Sequence, residues 1–69
     1  MYVEKFAERL KELREEAGLS LKQLGKAIGV SDVAISRWEN KARIPNIDSL
    51  ISLALYFKVS ADYLLGLED

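Results

Sequence analysis

No cysteine and no histidine occur in these 69 residues, and there is one proline. Without cysteine no disulfide can restrict the unfolded chain, and without either residue the soft metals lose their usual ligands. A core of this size typically leaves only about 3–5 kcal/mol of net stability. Well-formed helices, tight packing or pairing with a second copy must then supply what a staple would. The same two absences remove the usual general base and the thiol nucleophile, and no glycine-rich phosphate loop replaces them. An enzyme is not expected, nor a metal or cofactor, and no small-molecule site is evident. No run of about 18 apolar residues exists, so no segment is long enough to cross a bilayer as a helix. The opening MYVEKFAERLKELREE is charged where an export signal is apolar. The expectation is a cytoplasmic protein with no membrane partner, made of one domain spanning residues 1–69.

Excess positive charge is missing too: the formal net charge is −1. The total hides a gradient. Residues 20–46 carry Lys22, Lys26, Arg37, Lys41 and Arg43 against Asp32 and Glu39. Residues 47–69 carry Lys58 against Asp48, Asp62, Glu68 and Asp69. The middle third is basic and the last third acidic, and a partner responds to the local field more than to the sum.

What is present is helical periodicity, bounded by caps. Phe6, Leu10, Leu13 and Ala17 repeat on one face of a first helix, with Glu4, Glu8, Glu12, Glu15 and Glu16 opposite and Gly18 as its end. Ser20 and Gln23 form a capping box for a second helix that turns Leu21, Leu24 and Ile28 inward and closes at Gly29. Ser31 caps a third, with Asp32 in the first turn, where the helix dipole favours an anion. Asn46 caps a fourth, whose apolar face is Leu50, Leu53, Ala54 and Phe57. Ser60 caps a short fifth, ADYLL, stopped by Gly66. Tyr56, Phe57 and Tyr63 are expected to close the core under it. With no strand of useful length, the fold class is all-α and compact.

The informative unit is the pair of short helices at 20–28 and 31–40, joined by Gly29-Val30-Ser31. A joint that short cannot reverse the chain, so the helices cross steeply, as in a helix-turn-helix. At 100° per residue the second helix of the pair divides in two. Ala34, Ile35 and Trp38 gather on one side and pack. Asp32, Val33, Ser36, Arg37 and Asn40 gather on the other and are presented.

The series RLKELREEAGLS, LGKAIGVS, ISRWEN, Pro45 and VSADYLLG resembles the phage-repressor type of helix-turn-helix, the Cro/C1 or Xre class, over about residues 6–66. The resemblance implies a five-helix, lambda-repressor-like domain with its helix-turn-helix core at about 20–40. It implies a sequence-specific regulator of transcription of prokaryotic or phage type, a repressor that occupies a pseudo-palindromic operator in double-stranded DNA. Residues 32–40 would enter the major groove of a site bound by a two-fold homodimer. For that dimer, expected through the C-terminal helices, an exposed edge of Tyr56, Tyr63, Leu65 and Leu67 is the alternative to a core role for the two tyrosines.

Carried onto this chain, base reading falls on Asp32, Val33, Ser36 and Arg37, with Ser31 at the groove edge. The Arg37 fork suits guanine O6 and N7, Val33 a thymine methyl, and Asp32 cytosine N4. For Asp32 a capping role stands beside base contact, and the two are compatible. Phosphate contacts fall on Ser20, Lys22, Asn40, Lys41 and Arg43. Arg14 and Glu39 match an ion pair between the first and third helices.

Three residues depart from the pattern: Leu21 where the family usually has Gln, Gly25 where it has Ala, and Lys41 where it has Gly. Gly25 allows close packing at a helix-propensity cost of about 1 kcal/mol. A left-handed Lys41 costs about 1–2 kcal/mol. Leu21, the net charge and the acidic last third leave a second expectation: a protein-interaction module, antitoxin-like or an adaptor, on the same fold with weak or no DNA binding.

Overall fold

A computed structural model describes the backbone of residues 2–69 and the side chains of residues 4–69; Met1 of the expected domain lies outside the described residues. Five helices follow one another: α1 (Tyr2–Glu16), α2 (Leu21–Ile28), α3 (Asp32–Glu39), α4 (Ile47–Phe57) and α5 (Ala61–Leu65). Four of them start at a polar cap whose side chain accepts a backbone N–H three residues on: Ser20 from Gln23, Ser31 from Ala34, Asn46 from Ser49 and Ser60 from Tyr63. Each such bond satisfies a donor that helix geometry leaves without a carbonyl. At Ser20 the bond is reciprocated, because Gln23 Oε1 accepts the Ser20 N–H at 2.8 Å.

Each helix supplies one fully buried aliphatic side chain to a common centre: Leu10, Leu24, Ile35, Leu53 and Leu64. Phe6 and Trp38 complete this core. Trp38 is 6 % exposed, so its indole packs inside the fold and is not available to stack on a base. Leu21, Ala34, Leu50, Ala54 and Phe57 pack around the centre as partly buried neighbours.

Two expected core positions lie outside. Ala17 is exposed, because α1 stops at Glu16 and the chain turns away through Gly18 at φ 70. There the Leu19 N–H reaches back to the Arg14 carbonyl at 3.1 Å, which ends the apolar stripe one turn early. Tyr56 is 42 % exposed. It stands on α4 about 100° round from Phe57, its ring edge-on to that of Phe57 with centroids 5.1 Å apart. Tyr63 is half-buried. The Arg9 guanidinium lies 4.2 Å from its ring centroid and donates to the Tyr63 carbonyl and to that of Glu68. This fastens α5 and the segment after it to α1.

The α2–α3 corner is where backbone approaches backbone. Gly29, at φ 79, supplies the left-handed residue that the joint needs. Its N–H and that of Val30 both donate to the Gly25 carbonyl, at 2.8 and 2.9 Å. Gly25 itself is buried, and a Cβ there would sit 2.6 Å from the Val30 carbonyl oxygen and 3.3 Å from the Asp32 nitrogen. The departure at Gly25 is therefore what lets the corner close as tightly as it does.

A second tie holds α1 to α3. Arg14 Nε donates to Glu39 Oε2 at 2.6 Å and Nη2 to Oε1 at 3.0 Å, a bidentate pair. Arg14 Nη1 also donates to the Leu19 carbonyl at 2.9 Å, so one guanidinium fixes both the end of α3 and the approach to α2. The side chains are 13 % and 7 % exposed. The hydrogen bonds to Glu39 raise the Arg14 pKa above its ordinary value, against the lowering effect of burial.

Two expectations follow. Gly25→Ala adds about 1 kcal/mol of helix propensity but forces a Cβ into backbone, an overpacking that costs about 1–3 kcal/mol. The melting temperature should fall by roughly 5 °C; a rise would show that the corner yields. For the ion pair, a double-mutant cycle with Arg14→Ala and Glu39→Ala should give a coupling of about 1–3 kcal/mol in urea denaturation. Additive losses would mean that each side chain acts through its own packing.

Candidate nucleic-acid interface

α3 is held on its inner side by Ile35 and Trp38 and by the Glu39 pair, which leaves its outer side fixed in direction. On that side Val33 is 52 % exposed, Arg37 and Asn40 are exposed, and Ser36 is partly covered. Asn40 Nδ2 donates to Ser36 Oγ at 3.3 Å, one turn apart. This bond holds two of the presented polar groups to each other along the helix. Val33 thus stands as an apolar projection among polar neighbours.

At the start of α3 the side chains turn toward the helix. Ser31 Oγ accepts the Ala34 N–H at 3.1 Å, and Asp32 Oδ1 accepts the Val33 N–H at 3.0 Å. The Asp32 carboxylate therefore meets the positive end of its own helix dipole. Of the two roles expected for Asp32, this is the one its geometry supplies in the free protein; its second oxygen is not engaged by that bond.

The far end of α3 positions the cations. Asn40 caps it, Lys41 follows at φ 65, and the N–H groups of Ala42 and Arg43 both turn back to the Arg37 carbonyl, at 2.9 and 3.3 Å. The left-handed Lys41 is what allows this return. Arg43 and Arg37 both line a hollow of about 320 Å³, together with Ala34, Trp38, Ile44, Asn46 and Ser49. The hollow joins the end of α3 to the N-terminal turn of α4. Two arginines and the first turn of α4 thus border one depression, which meets the outer side of α3 at Arg37.

Ser20 and Lys22 lie apart from this group, at the start of α2, both exposed. The capping box occupies the N–H groups of Ser20 and Gln23, so an anion at this end meets those of Leu21 and Lys22. Leu21 does not present a polar group here; it leans into the core. Arg14 and Glu39 are paired on the covered side of α3 and act on the interface only by fixing it.

Three features were not foreseen from sequence. Asn46 and Ser49 line the hollow although only the cap was evident. Lys58 is left-handed at φ 57, like Lys41. Ile44, Ile47, Ile51 and Leu55 are large apolar residues left exposed. Among the described residues no group of acidic side chains, cysteines and histidines is placed to hold a metal ion, and no helix is long and apolar enough to cross a membrane.

With this geometry established, comparison with known proteins is direct. The family profile for Helix-turn-helix, HTH_3, matches residues 10–64. The chain is 36 % identical over 64 residues to the HTH-type transcriptional regulator YobD of Bacillus subtilis, covering 93 % of this chain and 57 % of that one. It is 38 % identical over 65 residues to repressor protein C2 of Salmonella phage P22, covering 94 % of this chain and 30 % of that one. The chain therefore spans from under a third to just over half the length of these relatives. Among solved structures, the P22 c2 repressor in complex with a synthetic operator superposes with a TM-score of 0.86 at 38 % identity, over 91 % of this chain and 96 % of that one. Motif order, five-helix architecture and the tight α2–α3 corner agree with these similarities: the chain belongs to the HTH_3 helix-turn-helix family.

Proposed function

We propose that this domain binds double-stranded DNA sequence-specifically and regulates transcription, as a repressor whose occupied operator excludes polymerase or a competing factor. The observation that carries the reading is the outer side of α3, largely polar and exposed, with Arg37 and Arg43 lining one hollow at its end. The similarity to a repressor solved on its operator supports it. Arg37, Val33 and Ser36 read base edges in the major groove, with Ser31 and the free oxygen of Asp32 at the groove edge. Lys41, Arg43 and Asn40 hold phosphates on one side of the groove, and Ser20, Lys22 and the start of α2 on the other. The regulator works as a pair of copies, whose recognition helices lie about 34 Å apart on a two-fold symmetric site.

Selection of bound duplexes from a random pool tests the reading and yields the site. With about 6–10 phosphate contacts, affinity for random duplex should fall roughly 10³–10⁵-fold between 50 and 200 mM salt. Absence of binding at low salt would leave the fold as a protein-interaction module.

The selected duplex then separates the arginines. Arg37→Ala should lose about 1–3 kcal/mol of discrimination at one base position. Arg43→Ala should weaken all sequences alike and flatten the salt slope by about 1. Equal, sequence-independent effects of both would remove Arg37 from base reading.

The two left-handed lysines give a matched pair. Replacing either Lys41 or Lys58 by Gly relieves about 1–2 kcal/mol of backbone strain, offset by about 0.4–1 kcal/mol of added freedom in the unfolded chain. Both variants should melt a few degrees higher. Only Lys41→Gly should also bind DNA more weakly, because Lys58 lies at the other end of α4, about 16 Å from the hollow. Equal loss of affinity in both would place the phosphate contact elsewhere.

A further inference from the structure

Asp32, Ser36 and Asn40 stand four residues apart and form one row along α3, each about 6 Å further along the axis. Asp32 brings an acceptor and Asn40 both a donor and an acceptor, while the Ser36 hydroxyl between them can act as either. A serine alone therefore tells bases apart poorly, because its O–H can turn outward to donate or turn away to accept. Its two neighbours settle the choice. Asp32 Oδ1 is turned to its own helix, where it accepts the Val33 N–H at 3.0 Å. Among the described residues no bond joins Asp32 to Ser36. Asn40 Nδ2 does reach Ser36 and donates to its Oγ at 3.3 Å. The same two residues are tied a second time through the main chain, where the Asn40 N–H donates to the Ser36 carbonyl at 2.9 Å.

We infer that Asn40 fixes the polarity of Ser36, so that Ser36 donates to an acceptor atom on a base edge and rejects cytosine. This specificity rests on the DNA-binding reading above and adds a base class to it. With one lone pair of Oγ taken by Asn40 Nδ2, the Ser36 hydrogen is left to point away from Asn40, toward a partner. In the major groove the acceptors are N7 of either purine, guanine O6 and thymine O4, whereas cytosine shows only its N4 donor. A hydroxyl held as a donor bonds any of the first group. Against cytosine it sets hydrogen against hydrogen and leaves both donors without a partner. Asn40 Nδ2 carries a second hydrogen, which suits a phosphate oxygen at the groove wall. One amide thus joins the grip on the backbone to the reading of a base, and each bond from Asn40 through Ser36 polarises the next. Asn40 is in this sense a positioning residue for Ser36.

Selection from a random pool with the unaltered chain and with Ser36→Ala locates the base, as the position whose preference the alanine removes. There the unaltered chain should take A, G or T over C by about 5–10-fold, the worth of one net hydrogen bond. Asn40→Ala frees the hydroxyl to turn, and the preference should shrink to within about twofold. Asn40→Asp accepts the Ser36 hydrogen and leaves a lone pair for the base. Cytosine and adenine, the bases with an amino donor in the groove, should then replace guanine and thymine at that position. Ser36→Ala combined with Asn40→Asp should show no preference there, since no hydroxyl remains to be oriented. An Asn40 that only holds a phosphate or only caps α3 would weaken all sequences alike and leave this preference unmoved. That result overturns the inference while leaving DNA binding intact, as does cytosine preferred by the unaltered chain, or a Ser36→Ala that changes no position. If Asn40→Asp does not fold, Asn40→Ala and the preference of the unaltered chain still decide. Absence of any bound duplex overturns the functional reading and this inference together, and the first selection shows it before a variant is made.

Discussion

The approach of Gly25 to the Val30 carbonyl is the constraint on which the rest of this structure depends. With no Cβ at 25, the backbone of α2 comes within contact distance of the chain entering α3. That distance sets the crossing of the two helices, and the crossing decides which side of α3 faces out. Ser31 can then cap α3, Ile35 and Trp38 can reach the core, and Val33 and Arg37 are left outside. A larger residue at 25 moves the corner first and the presented surface as a consequence.

Around that corner the fold is held by two different kinds of force. The core draws one aliphatic side chain from each helix to a single centre, which is non-directional and tolerates small rotations. The Arg14 fork is directional: two bonds to Glu39 and one to the Leu19 carbonyl admit little rotation of α3 about its axis. Burial keeps the helices together, and the fork keeps α3 in register. This division suits a surface that must meet a rigid partner.

Much of this was legible in the sequence because capping is local chemistry. Ser20 with Gln23, Ser31, Asn46 and Ser60 each announce a helix start within three residues, and each does cap one. The two faces of α3 followed from helical period alone. Ala17 and Tyr56 were misread for opposite reasons. Ala17 fits the period, but the helix ends before reaching it. Tyr56 is apolar enough for a core but stands at the wrong angle. The exposed stripe on α4 was hidden because a helix apolar all round reads as fully buried, and only packing shows which arc is left over. The left-handed Lys58 carries no sequence mark, since glycine is the residue that signals such a site. The roles of individual residues toward DNA came from resemblance, and no local pattern supplies them.

The Arg14–Glu39 pair has one more consequence, for how the molecule behaves as ionic strength changes. Mobile ions screen exposed charges over about 8–10 Å in ordinary buffers but reach enclosed pairs far less. This pair is enclosed, whereas Arg37, Lys41 and Arg43 stand in solvent. Salt therefore acts on the outer charges and spares the inner one. A rise in ionic strength weakens the grip of the outer charges on an anionic partner without loosening the frame that aims them, so the domain can leave one stretch of anion and arrive at the next without refolding.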